Sequence, residues 1–474
     1  MKSNASKTIH ISNVANIAYG YCKILSQNNY PVELYSNNIT HIMSQPAWDD
    51  YDLDPDLVHN EFDFYDNRIE LKDYPHPPWY HSQQLLTYDH PFITKLSRIF
   101  PRSMVKKFKP MYIELWTKIY YHIHNKFNIS KTNDPQLWED RIDKLIKISK
   151  QLGPTQALEK KDLLLYFNQA RWLENKYSPN DTLFGYMHAP ISLMLLEKVP
   201  CVSVEIGTLR EVYEQEDILS KLLKLAYHTT SHLIITNPDG KQFADRLNLP
   251  NGYSFAPHPV DEDIYKPLEN DQESITELRN ELNIPNHYEY YIIAPARQNW
   301  TLKGNYKYLE AFSVLVKAGI NALLIIPSWG QDVEQSKRYC HSLGLTNILW
   351  IKPISEKRMI KYYHCVDVVL DQFQLGVFGL ITSKAMSCGK PVITSYNNIY
   401  HDWCFKKHPP LIACESAAEI YQALIHLFKN LNSITKIGLE SREWIIKNYS
   451  KEVTVKIMKR IINIANFNFK ERAI

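Results

Sequence analysis

Two basic side chains, Arg297 and Lys303, fall in APARQNWTLKGNYKYLEAF (294–312), after a β-rich run and ahead of a helical one. Two fixed cations at a strand's carboxyl end, beside a helix opened by Gly304, form a site for a diphosphate. As ordinary loop charges they would do no chemistry, and lysine and arginine are common on loops. A second stretch, DQFQLGVFGLITSKAM (371–386), offers a matching half. A strand ends at Asp371, the loop Gly376, Val377, Phe378 and Gly379 follows, and a helix begins near Thr382 or Ser383. Amides of a glycine-bearing loop, with a helix dipole behind them, can hold the same diphosphate from the opposite side. Glycine lets the backbone come close.

The elements that must position these residues are those of open parallel sheets. TIHIS and VELYS read as strands flanking a helix from Ala15 to Gln27, with Ile17, Ala18, Tyr21, Ile24 and Leu25 on one face. The loop SNVAN between them, with Asn16, lies at a strand's carboxyl end, where such sheets bind ligands. From Asp181 the rhythm resumes with TLFGYMHAP, VPCVSVEIG and SHLIITN. SFAPHPVDEDIYKP is an extended connector, and a charged helix with a turn (268–288) marks the domain boundary. In the second half YYIIAPA, NALLIIPS, NILWIKP, VDVVLDQF and PVITS alternate with helices at 306–318, 333–343, 355–364, 383–388 and 417–428. A final helix places Val453, Ile457, Ile461 and Ile464 on one face. The expected fold is α/β, two Rossmann-like doubly wound domains facing a cleft. The first spans 1–260 with an insertion at about 46–180, the second 289–448, and a helix covers 449–474.

Composition narrows the function classes. The chain has 474 residues, 45% hydrophobic and 22% charged, with a net charge of +3. That length implies more than one core, and that charge gives no field for nucleic acid. With 14 glycines the chain shows no G-x-G-x-x-G fingerprint. Seven scattered cysteines without a CxxC pair read as reduced thiols in a cytosolic protein, with no metal site. Neither a secretory signal nor a run of about 20 apolar residues is present. The acidic stretch WDDYDLDPDLVHNEFDFYDN (48–67) lacks the glycine and distal glutamate of a Ca²⁺ loop and reads as a solvated insertion. Between 95 and 126, eight basic residues interleave with Trp116, Tyr120 and aliphatics. Such a stretch can lie peripherally on an anionic membrane or form an ordinary solvated helix face.

Four stretches of the second half resemble the donor domain of the GT-B glycosyltransferases, in particular the retaining, family-4-like group (glycosyl transferases group 1). They are ARQNWTLKG (296–304), IIPSWGQD (325–332), LGLTNILWIKPISEKRMIKYYHCVDVVLDQF (343–373) and GVFGLITSKAMSCGKPVI (376–393). The first half is similar more loosely, through SNVANIAYGY (12–21), VSVEIGTLREVY (202–213) and PHPVDEDIYKP (257–267). The resemblance implies that Arg297 and Lys303 grip the donor's diphosphate and that Gly376–Gly379 cradle it. It also implies that Lys352 to Ile354 lie along the nucleobase, and that His188 or Glu205 sits near the reacting sugar. The last helix would cross back to the first domain.

Two departures stand out. The group commonly carries two glutamates eight residues apart, one for the donor sugar and one for the ribose; here those positions are Gly376 and Lys384. A lysine cannot accept hydroxyl protons. Each lost carboxylate–hydroxyl bond removes roughly 1.5 to 3 kcal/mol. Lys384 could instead serve as a third cation near the phosphates, and Asp371 could supply the missing carboxylate. The expected activity is a cytosolic, metal-independent and cofactor-free retaining transfer of a sugar from a nucleotide-sugar donor. The acceptor is a glycan, a lipid-linked sugar or a protein. The alternative is a catalytically inactive GT-B scaffold or accessory subunit.

Overall fold

Runs such as ALLIIP at 322–327 are apolar at every position, which suits a strand covered by helices on both faces. The computed structural model describes residues 6–37, 41–57, 71, 73–83, 135–268 and 272–471 and forms two such sheets. The first contains β1 (Thr8–Ile11), β2 (Val32–Asn37), β3 (Tyr80–Gln83), β4 (Thr182–Tyr186), β5 (Cys201–Glu205), β6 (His232–Ile235) and β7 (Tyr253–Phe255). The second contains β8 (Tyr290–Ile293), β9 (Ala322–Pro327), β10 (Ile348–Ile351), β11 (Val368–Leu370), β12 (Val392–Thr394) and β13 (Ile412–Ala413). Every pairing is parallel, in the orders β3-β2-β1-β4-β5-β6-β7 and β10-β9-β8-β11-β12-β13. The order reverses between β1 and β4 and between β8 and β11, and crevices at those points are where open sheets take ligands. The expected α/β, doubly wound architecture is therefore the one observed.

Some elements depart from the sequence reading. β13, only two residues long and partly exposed, is too short to carry a periodic signal. β3 lies inside the expected insertion and forms the edge of the first sheet beside β2. The helices Pro135–Gln151 and Lys160–Glu174 also fall there, and Trp138, Ile142 and Leu163 join the first-domain core. The helix after the glycine loop begins at Leu380, with Gly379 as its N-cap, rather than at 382 or 383. The basic stretch 95–126 lies outside the described residues. Among those described, no helix is long and apolar enough to cross a membrane.

Two C-terminal helices join the domains. Leu431–Tyr449 packs on Leu380–Ser387, and Lys451–Glu471 then crosses onto the first domain against Ile17–Gln27, β4 and β6. Its buried face is Val455, Met458, Ile461, Ile462 and Ala465, which cluster with Ile24, Phe184 and Val202. Val453, Ile457 and Ile464 are only half-buried, because the apolar stripe is broader than one row and the sheet meets its other edge. The guanidinium of Arg442 pins the connector between domains. It donates to the carbonyls of Tyr265 at 2.6 Å, Glu262 at 2.8 Å and Ser387 at 2.9 Å.

Candidate donor site between the two domains

The loop after β8 is shaped by buried side-chain amides. Asn299 caps the one-turn helix Trp300–Lys303, accepting the Leu302 N–H at 2.9 Å. Asn305 accepts the Asn299 N–H at 2.8 Å. Gly330, in the loop after β9, lies against this segment: its φ is +110°, and a Cβ there would stand 2.5 Å from the Gln298 carbonyl oxygen. Lys303 Nζ donates to Gln372 Oε1 at 2.9 Å, tying the loop after β8 to the loop after β11. Burial lowers the Lys303 pKa; Asp371 opposes this, and Arg297 and Arg210 add to it. A group whose charge is disfavoured by two neighbouring cations is stabilised when an anion arrives between them.

Arg210 was not singled out from sequence. It sits on the helix Leu209–Glu214, just past β5, and Asp239 holds it with Nε–Oδ2 at 2.5 Å and Nη2–Oδ1 at 2.6 Å. Its position after a strand end, like that of Arg297 after β8, is the signal that could have found it. The mixed charges of LREVYEQED hid it as an ordinary solvated helix face. Glu205, at the end of β5, is buried, and its Oε1 accepts the N–H groups of Gly207 at 2.6 Å and Leu209 at 2.8 Å. Burial raises its pKa, against the pull of those amides. The structure thus turns Glu205 into the loop that carries Arg210. His188 is exposed at the end of β4, ahead of the short helix Ala189–Leu193.

Across the crevice, Gly376 has φ +65°, and a Cβ there would meet the Asn397 side chain at 3.2 Å. The Gly376 N–H donates to Ser395 Oγ at 3.0 Å and the Phe378 N–H to His401 Nε2 at 3.2 Å. Among the described residues, the Val377 and Gly379 amides donate to no protein acceptor. These two amides and the start of the helix Leu380–Ser387 are the free donors of this half. Asp371 is buried and accepts from Thr382 Oγ at 2.7 Å. Burial raises its pKa, with Lys303 opposing. It is a cap and a countercharge, directed at the helix start.

Lys384 is not presented as a third phosphate cation. Its Nζ lies 2.9 Å from Glu356 Oε2 and 5.1 Å from the Tyr265 ring centroid, and the residue is buried. Tyr265 donates to the same Glu356 oxygen at 3.1 Å. Lys384 and Glu356, together with Trp48, Asp49, Trp329 and Ile354, line an interdomain cavity of about 160 Å³. Asn16 donates to Asp49 Oδ1 at 2.9 Å and to the Gln45 carbonyl at 2.7 Å, so it anchors the cavity wall. Its loop is strained, with φ of +74° at Ser12, +47° at Ala15 and +54° at Asn16.

The acidic stretch, expected to be solvated, is partly a strap across the domains. Asp52 pairs with Arg358 at 2.5 Å and Lys361 at 2.8 Å, and Asp56 pairs with Lys352 at 2.5 Å. The Leu53 N–H donates to Ser355 Oγ at 3.2 Å. Asp52 and Asp56 meet cations of the second domain, which no reading of the first domain alone could supply, while Asp50 pairs with Lys23 of its own domain at 2.5 Å. The rest of that stretch, 58–67, lies outside the described residues.

Comparison with known proteins agrees with this geometry. Residues 274–444 match the family described as Glycosyl transferases group 1. A glycosyltransferase from Rickettsia africae ESF-5 is similar over 97% of this chain and 98% of its own, at 12% identity and a TM-score of 0.56. Sucrose-phosphate synthase from Thermosynechococcus elongatus covers 96% of this chain and 98% of its own, at 12% identity and a TM-score of 0.58. Anabaena HepE, solved in complex with UDP, covers 96% of this chain and 99% of its own, at 12% identity and a TM-score of 0.55. No curated protein sequence gives a significant match. The second domain thus matches the Glycosyl transferases group 1 model, and the whole chain shares the two-domain fold of these solved glycosyltransferase structures.

Proposed function

We propose that the protein moves a sugar from a nucleoside-diphosphate sugar to an acceptor with retention of configuration, without a metal ion. The observation that carries this is the convergence of two half-sites at the β8/β11 reversal. Arg297 and Lys303 stand on one side, and the free amides of Val377 and Gly379 on the other. Breaking the bond between sugar and phosphate needs the leaving diphosphate stabilised, and preorganised cations and amide dipoles supply that. The departing phosphate oxygen takes the acceptor's proton, so no protein nucleophile is required. HepE, of the same fold, has been solved with UDP, which supports a nucleotide-sugar donor for this chain. The acceptor would enter from the first domain, past the exposed His188, and is a glycan, a lipid-linked sugar or a protein.

The test is a thermal-shift and calorimetry panel of UDP, GDP, CDP, ADP and dTDP sugars with EDTA present. Saturable, EDTA-insensitive binding of one nucleotide class is the expected result. Binding that requires a divalent ion would overturn the metal-free mechanism. No binding across the panel by folded protein would leave the inactive scaffold, which Gly376 and Lys384 favour, as the better account.

A further inference from the structure

The interdomain cavity is walled by apolar side chains except for Asp49, Glu356 and Lys384. These three are not equivalent. Glu356 Oε2 carries both of that carboxylate's partners, Lys384 Nζ at 2.9 Å and Tyr265 OH at 3.1 Å. Among the described residues, Glu356 Oε1 accepts no hydrogen bond. Asp49 is also held through one oxygen, Oδ1, by Asn16 of its own domain, but among the described residues it has no cation in ion-pair contact, whereas Glu356 is charge-paired with Lys384. A carboxylate fixed through one oxygen and open at the other is an acceptor only, so its ligand must bring donors. Beside the apolar walls of Pro295, Pro327 and Ile354, a nucleotide brings ribose hydroxyls and base N–H groups as donors, and the vicinal ribose hydroxyls are the pair that every ribonucleotide shares. Acidic side chains read ribose hydroxyls in other doubly wound nucleotide sites.

Resting on the nucleotide-sugar proposal above, the geometry points to Glu356 as the residue that recognises the donor's ribose hydroxyls, with Lys384 as its positioning residue. The helix Leu380–Ser387 brings a cation where a carboxylate is expected, and the neighbouring helix Glu356–Cys365 brings the carboxylate. Lys384 is buried and Glu356 partly so, and their pairing offsets the cost of drawing both charges out of water. The departure at Lys384 is then one half of an exchange of charge between neighbouring helices, and the acceptor chemistry is retained.

The experiment is calorimetric titration of the full chain with UDP, 2′-deoxy-UDP and 3′-deoxy-UDP, repeated with the GDP and ADP series. Inorganic pyrophosphate serves as a probe of the phosphate half alone. The parent is expected to prefer the ribonucleotide by roughly 10- to 100-fold. Glu356→Gln is expected to lose that preference and still bind pyrophosphate as the parent does. Lys384→Met should weaken the preference, Lys384→Arg should restore it, and Asp49→Asn should leave it intact. Should Glu356→Gln fail to fold, Glu356→Asp keeps the ion pair while withdrawing the carboxylate by one methylene, and the same loss is expected. A preference that is absent in the parent, survives in the Glu356 variants or vanishes only in Asp49→Asn overturns the assignment. Pyrophosphate binding without binding of any nucleoside diphosphate overturns the nucleotide proposal itself, and this one with it.

Discussion

Arg297 and Lys303 differ in how they are held, and that difference shapes what their removal should do. Lys303 is tied to Gln372 and feels Asp371, Arg297 and Arg210, so it senses both loops and both domains. On the proposed function, replacing either side chain by alanine removes a cation whose role is to stabilise the leaving diphosphate. Turnover is expected to fall at least ~100-fold for Arg297→Ala and for Lys303→Ala, with the melting temperature little changed. Steady-state rates with the donor identified by the nucleotide panel check this; unchanged turnover in both variants would place the diphosphate elsewhere. Lys384 behaves differently, because its charge is engaged by Glu356 rather than offered to a phosphate.

Loops carry the cations, and glycine at one loop decides where another lies. Gly330 belongs to the turn after β9, yet the atom its Cβ would strike is the carbonyl of Gln298, next to Arg297. The Gln298 N–H donates to the Trp329 carbonyl at 2.8 Å, and the Asp332 N–H donates to the Gln298 carbonyl at 3.1 Å. Gly330→Ala must therefore both strain a left-handed residue and push the Arg297 loop away from β9. The expected outcome is a loss of about 1–3 kcal/mol of stability together with a reduced kcat. Denaturant titration and kinetics on the same preparation separate the two effects. A stable variant with parental kcat would show that the loop position is set without Gly330.

At the scale of the whole molecule, the domains meet through the crossing C-terminal helix, the Arg442 pin and the acidic strap. The strap's ion pairs at Asp52 and Asp56 are partly exposed, and such pairs contribute only about 0–1 kcal/mol each. Asp49 lies deeper. Burial pushes its carboxyl up to about 7, with Lys384 opposing and Glu356 adding to the rise. Its folded value exceeds the ordinary 3.8, so the folded state binds the extra proton. The stability this contributes is full below the ordinary value and is lost as pH rises through about 7. His258, whose pKa burial lowers to about 4, contributes with the opposite sign at the acid end. Comparing parent with Asp49→Asn isolates the aspartate: the melting temperature of the parent should drop more between pH 5 and pH 8, by about 3 °C or more. Parallel slopes would show that Asp49 titrates normally.

The sequence by itself determined two doubly wound α/β units, most of their strands, and the placing of Arg297, Lys303 and the loop Gly376–Gly379 just past strand ends. The strand order and the strands β3, β7 and β13 came from the tertiary structure. Apolar runs of four to six residues between turn formers, and cations placed just past them, are local patterns that survive without knowledge of the fold. Arg297 and Lys303 and the loop Gly376–Gly379 were legible for that reason. The partner of Lys384 was not, because Glu356 sits 28 positions earlier on a different helix and only the packing of adjacent helices brings the two together. The strap escaped likewise: WDDYDLDPD looks solvated until Arg358 and Lys361 of the other domain stand opposite it. Arg210 and Glu205 were decided by the tertiary structure too, one turned toward the cleft by Asp239 and the other folded into its own backbone. Charge meets charge here across long stretches of chain, and such encounters leave no periodicity in the sequence to read.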